Sequence, residues 1–129
     1  MATGLSTEVV ERLTGEPVVA HLATSVDDRP HVAPVWYVYA DGVVEITTTG
    51  RKLANVRHNP RVALSIGKEI EGVPEWTVTL LGTATVVEDR DAFERANRRI
   101  NEKYGAPAKA HAENTLVRIE PASATYRAY

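Results

Sequence analysis

Between Val43 and Leu64 the chain has few shapes open to it. Val43, Val44, Ile46 and the threonines Thr47, Thr48 and Thr49 favour extended backbone. Gly50 then permits a tight turn with no Cβ penalty. From Arg51 the spacing changes: Leu53 and Val56 lie three apart with Ala54 beside them, a helical stripe. Asn59-Pro60 stops it, because the residue before a proline is pushed out of the α region. The stretch therefore reads as strand, glycine turn, one short helix, strand. Free backbone N–H groups, threonine hydroxyls and the Arg51-Lys52 pair converge at the start of that helix. Two cations at a helix N-terminus oppose its dipole, and a bound anion would remove the conflict. A phosphate-type site and a solvated basic turn both fit these residues.

The other elements follow from turn chemistry and periodicity. Ser6 to Leu13 is a short amphipathic helix, capped by Ser6, burying Val9, Val10 and Leu13, and ended by Gly15. Pro17 to Ser25 and His31 to Tyr39 are strands on either side of a turn at Asp27-Asp28-Arg29-Pro30. Asp41-Gly42 is a hairpin signal, with Val43 to Thr48 as the second arm. Arg61 to Ile66 is a strand, Lys68 to Pro74 a polar loop, and Trp76 to Val87 a long strand that Gly82 should bulge or bend. Asp89 to Tyr104 is the long helix, with Phe93, Ala96 and Ile100 on its apolar face. Asn114 to Glu120 and Ala124 to Ala128 are the last strands, separated by Pro121. Six or seven strands that do not alternate with helices imply a mostly β, antiparallel barrel with peripheral helices, in a single domain over residues 1–129.

Composition narrows the function. Charged residues are 25% and hydrophobic ones 43%, with a net charge of −2, so electrostatics gives no case for nucleic acid or a membrane as partner. Without cysteine there are no disulfides, thiolate zinc sites or cysteine nucleophiles. Met1-Ala2-Thr3-Gly4 lacks a basic-then-apolar signal pattern, and the expected location is cytoplasmic. His21, His31, His58 and His111 are scattered, and no two have helical metal-ligand spacing, which argues against a metal site. His21 is expected in the core or an interface, and His58 at a helix end where its charge suits the dipole. Pro34 lies among large apolar residues, Val32-Ala33-Pro34-Val35-Trp36. It marks either an edge strand or a backbone left open to a planar ligand with Trp36 as a wall.

Four features carry a family resemblance. They are the opening hairpin from Val18 to Val32, Pro34-Val35-Trp36-Tyr37 leading to Asp41-Gly42, Gly50-Arg51-Lys52 followed after seven residues by Pro60-Arg61-Val62-Ala63-Leu64, and Trp76 to Ala84 with its mid-strand Gly-x-Ala. The chain resembles the pyridoxamine 5′-phosphate oxidase-like split-barrel proteins that bind flavin. The resemblance implies a homodimer with a cofactor at the subunit interface. It implies that Arg51 and Lys52 hold a phosphate, that Thr47, Thr48 and Thr49 add hydroxyl contacts, that Val32, Ala33, Pro34, Val35 and Trp36 face the isoalloxazine ring, and that Thr77 helps bind it. The cofactor so implied is flavin mononucleotide (FMN), with the deazaflavin coenzyme F-420 or heme as alternatives. The function so implied is an oxidoreductase for a small molecule, or else a flavin or heme carrier. The chain ends Thr125-Tyr126-Arg127-Ala128-Tyr129, without the family's Arg-x-His-x-Arg motif, which argues against pyridoxamine 5′-phosphate oxidation itself. No catalytic acid or base is assigned, because the ring would carry the hydride chemistry.

Overall fold

The computed structural model describes residues 5–129; the tetrapeptide read for a targeting signal lies outside them. The order is α1 (Thr7–Thr14), β1 (Ala20–Val26), β2 (Arg29–Val35), β3 (Val38–Ala40), β4 (Val43–Thr48), α2 (Gly50–His58), β5 (Arg61–Ile70), β6 (Val73–Val87), α3 (Arg90–Tyr104) and β7 (Thr115–Ala128). All strand pairs are antiparallel, in one seven-stranded sheet of order β2-β1-β5-β6-β7-β4-β3. The two edge strands, β2 and β3, are consecutive in the chain and only Trp36 and Tyr37 separate them. From Val35 to Val38 is three Cα steps, at most about 11 Å, so the sheet must roll until its edges meet. The expected barrel is therefore the fold.

Three hairpins start the roll. Their two-residue turns, Asp27-Asp28, Asp41-Gly42 and Glu71-Gly72, have positive φ at both positions. That is what a type I′ turn requires, and its twist matches that of the strands. Inward side chains of the strands, among them Leu22, Ile46, Leu64, Val78 and Ile119, form the main core, which Leu13 of α1 and Val56 of α2 help close. A smaller cluster joins Ala92, Phe93 and Ala96 of α3 to Leu116 of β7. Beside it the buried carboxylate of Glu45 on β4 bonds Arg99 of α3 and, at 2.8 Å, Arg118 of β7.

Several expectations change. Residues 68–74 form a hairpin, not a loop: Glu71 accepts a positive φ beside Gly72, and β-branched Ile70 and Val73 pair across the turn. The strand expected from His31 to Tyr39 breaks at Trp36-Tyr37, where the chain crosses between sheet edges. The last two strands are one, because Pro121 sits opposite Gly82 at a register shift that spares the missing N–H. Gly82 is the bulge expected, and a Cβ there would lie 2.5 Å from the Glu120 carbonyl oxygen. In α2, Ala54 faces solvent and Asn55 takes the buried place, donating to Thr24 Oγ1 at 3.0 Å. His21 is exposed on the outer sheet face and is no core residue. His58 is in the last turn of α2, as expected.

Where α1 meets α3, burial acts on titration. Tyr37 is fully buried and donates its hydroxyl to the Leu13 carbonyl at 2.9 Å. Lys103 donates to the same oxygen at 3.2 Å and lies 3.8 Å over the Tyr37 ring. Burial lowers the Lys103 ammonium from 10.5 to about 8, whereas burial raises the Tyr37 phenol and pushes Tyr104 up to about 12. Between pH 8 and 10.5 the native state has released a lysine proton that the unfolded chain retains, so this group makes stability rise with pH. The two tyrosines act oppositely, but only once unfolded phenols ionise near pH 10. Denaturant unfolding from pH 7.5 to 9.5 should therefore show the wild type gaining stability relative to Lys103→Met, which lacks the proton.

Candidate functional site

The start of α2 fits the anion reading better than the solvated-turn reading. Gly50 takes φ +67, open to glycine at no steric cost. Thr49 is the N-cap residue, yet its side chain makes no cap hydrogen bond, and no acidic residue stands in the first turn. The exposed N–H groups and the positive end of the dipole are thus left for another acceptor. A cavity of about 470 Å³ opens there, and Thr47, Thr48, Thr49 and Lys52 line it together with Pro34, Val35 and Trp36. That volume lies in the range of small-molecule sites.

The cavity gathers most of the residues singled out from the sequence, but not all. Arg51 is exposed and lies outside the lining. Val32 points outward and Ala33 inward on edge strand β2, and neither reaches it. Thr77 lines a second cavity of about 450 Å³, with His21 and Lys68. Val19 belongs to both walls. Pro34 is where a strand proline is tolerated, since β2 is an edge.

The far wall was not legible in the sequence. Ile100 and Asn101 of α3 line it, with His111, Glu113 and Asn114 of the loop before β7. Trp36 is stacked on Tyr104 with ring centres 4.7 Å apart and planes 3° from parallel. The Tyr104 hydroxyl donates to Val18 O at 2.7 Å and accepts from Tyr37 N at 3.3 Å, so the stack is anchored on both sides. Two buried asparagines staple the loop to α3. Asn97 donates to Ala110 O at 2.8 Å, and Asn101 to Ala108 O and Ala110 O at 3.2 and 2.9 Å. The Asn101 Oδ1 is buried with no donor. The signal that could have found this wall is Asn97 and Asn101 at i, i+4 on the buried face of α3, where asparagine has poor helix propensity.

Most hydrogen-bond donors of the cavity are already used. Thr47 donates to Asn97 Oδ1 at 3.3 Å and Thr48 to Thr49 O at 3.5 Å. Asn114 donates to Thr47 O at 3.2 Å. Thr47 is therefore first a structural residue, although it lines the site. Among the described residues, the side chains of Thr49 and Lys52 at α2, and of Trp36 and His111 at the aromatic wall, have no hydrogen-bond partner. No group of three His, Asp or Glu among the described residues is placed to hold a metal ion, and no helix is long and apolar enough to cross a membrane.

An antiparallel barrel closed by a two-residue corner, with an uncapped basic helix start and an aromatic wall facing one cavity, defines a split-barrel protein. The sequence model of the family described as pyridoxamine 5′-phosphate oxidase matches residues 5–128, and the chain belongs to that family. An FAD-binding protein from Mycobacterium smegmatis is similar at 27% identity, over 97% of this chain and 96% of its own, with a TM-score of 0.70. An F420 reductase is similar at 27% identity, over 89% and 94%, with a TM-score of 0.72. An FAD-binding protein from Mesorhizobium loti shares the fold at 24% identity, over 95% and 92%, with a TM-score of 0.76. No curated protein matches the chain.

Replacing Asn97 tests whether the loop is held as described. Asn97→Ala should cost about 1–3 kcal/mol, since the Thr47 hydroxyl loses its acceptor and the Ala110 carbonyl one of its two asparagine donors. Hydrogen exchange should show residues 110–114 losing more protection than β1 and β5.

Proposed function

We propose that the protein is a flavin- or deazaflavin-dependent oxidoreductase for a small planar substrate, with FMN as the cofactor and coenzyme F-420 as the alternative. The observation that carries this reading is the juxtaposition, in one cavity, of an uncapped helix start bearing Lys52 and the Pro34–Trp36 wall. Both 27%-identical structures, the FAD-binding protein and the F420 reductase, support it. Bound there, the cofactor supplies hydride chemistry. Lys52 and the first N–H groups of α2 hold its phosphate, and Thr49 adds a hydroxyl. Arg51 lies one residue away, outside the cavity lining, and would have to swing its side chain in to reach the same anion. Pro34, Val35 and Trp36 cover the ring and exclude water, while Thr47 and Thr48 hold the strand end that sets the helix direction.

The site is completed by a second copy. The outer face of β2, β1, β5, β6 and β7 carries cross-strand rows Pro34–His21–Ser65–Thr79–Thr125 and Val32–Ala23–Ala63–Leu81–Ser123. These rows hold no acid, lysine or arginine, while Val32 and Leu81 are 64% and 54% exposed. A broad uncharged face on a small domain supports burial against a partner. In the proposed C2 dimer the cofactor lies at the interface, and Val32, Ala33 and the partner's Thr77 belong to the same site. Sedimentation at micromolar concentration should give a dimer, and Leu81→Arg should shift it to monomer; a stable wild-type monomer would refute the interface site.

The cofactor is tested by titrating wild type and the Arg51→Ala/Lys52→Ala double variant with FMN, riboflavin and coenzyme F-420. Two charge-assisted bonds contribute about 1.5–3 kcal/mol each. Since neighbours are seldom additive, FMN affinity should fall about a hundredfold, while riboflavin, which lacks the phosphate, should bind both proteins alike. An absorbance spectrum of the purified protein separates flavin, deazaflavin and heme. Reoxidation of the reduced protein by substrate, under exclusion of air, separates an enzyme from a carrier.

A further inference from the structure

We propose that His111 binds the ligand directly, donating an imidazole N–H to a carbonyl, nitro or carboxylate oxygen on the planar molecule held against Trp36. This rests on the reading of the cavity as a planar-ligand site. Three independent features single His111 out. Its backbone is left-handed, with φ +62. The other non-glycine residues with positive φ, Asp27, Asp28, Asp41 and Glu71, are all in hairpin turns whose twist demands it; His111 is in no hairpin, but at the junction of two hydrogen-bonded turns, Pro107 to Ala110 and His111 to Asn114. A conformation of this kind is a cost that persists where the surroundings enforce it. Here the surroundings are the asparagine staples, which pin Ala108 and Ala110 just before it.

The second feature is placement. The imidazole lines the cavity and stands edge-on to Trp36, 5.5 Å between ring centres at 88°. With Tyr104 stacked on the indole, the aromatic wall is fixed and His111 forms its polar margin. The third feature is valence. The His111 imidazole makes no hydrogen bond among the described residues, and neither does the indole N–H of Trp36. Two uncommitted donors thus flank the wall, while the anion-binding donors lie at α2. A ligand that fits has an anionic group at one place and an sp² oxygen at the other. Such an oxygen is found on the pyrimidine edge of a flavin and on a quinone, enone or nitroaromatic substrate.

Calorimetric titrations decide it, with FMN added to ligand-free protein and menadione, a planar quinone without phosphate, added to both ligand-free and oxidised FMN-loaded protein. Without a reductant there is no turnover. Removing one neutral hydrogen bond should weaken binding about three- to tenfold. His111→Gly should do so in at least one titration without lowering the melting temperature, because glycine suits the left-handed backbone. His111→Asn, which keeps an N–H donor and tolerates that backbone, should stay within about threefold of wild type. A loss confined to FMN puts the oxygen on the cofactor, and a loss confined to menadione puts it on the substrate. Unchanged affinities in His111→Gly overturn the proposal. So does an Asn variant as weak as the Gly variant, since that result assigns His111 to packing on Trp36. FMN that binds no more weakly to the Arg51→Ala/Lys52→Ala protein refutes the cofactor reading alone, and menadione with ligand-free protein still decides His111.

Discussion

Closure of the sheet depends on one tether, the two-residue step from β2 to β3. Five strands lie between the two edge strands, yet the chain passes from one edge to the other through Trp36 and Tyr37 alone. The barrel is held shut because these residues face opposite ways and both are fastened. Tyr37 is buried, with its hydroxyl on the Leu13 carbonyl. Trp36 turns out to the cavity and is braced by Tyr104. The corner that closes the fold is therefore also the wall of the site, and damage to one is damage to the other.

The same economy explains the far side of the cavity. α3 lies on the outer face of β4, where Thr47 and Glu45 are its polar contacts. Its buried asparagines then reach forward to hold the loop that carries His111. No part of the site is free-standing. The α2 end depends on the strand end at Thr48, the aromatic wall on the barrel corner, and the margin on the helix.

What the sequence made legible was local. Gly50, Asn59-Pro60 and the Arg51-Lys52 pair announce α2 because each acts on its own backbone or its own helix end. Asp41-Gly42 announces its hairpin for the same reason. Gly82 was readable as a bulge, but Pro121 as its partner was not, since that pairing joins residues far apart in the chain. Residues 68–74 look polar, yet charge on a hairpin arm only marks its solvent side. The family motif pointed to Lys52 and Trp36, and both line the cavity, whereas Arg51, Val32, Ala33 and Thr77 lie outside it in a single chain. His111, Asn97 and Asn101 were missed because nothing in their spacing shows that a loop folds back over α3.

Glu45 gives α3 an angular index. The stripe of Ala92, Phe93, Ala96 and Ile100 would hold the helix against the sheet at several rotations about its own axis, because apolar contact is not directional. A single buried carboxylate shared between Arg99 on the helix and Arg118 on the sheet admits only one. Directional bonds to a charge in a poorly solvated place lose much when geometry slips. The phase of α3, and with it the place of every side chain it presents to the cavity, is set by an ion triad that lies outside the cavity lining.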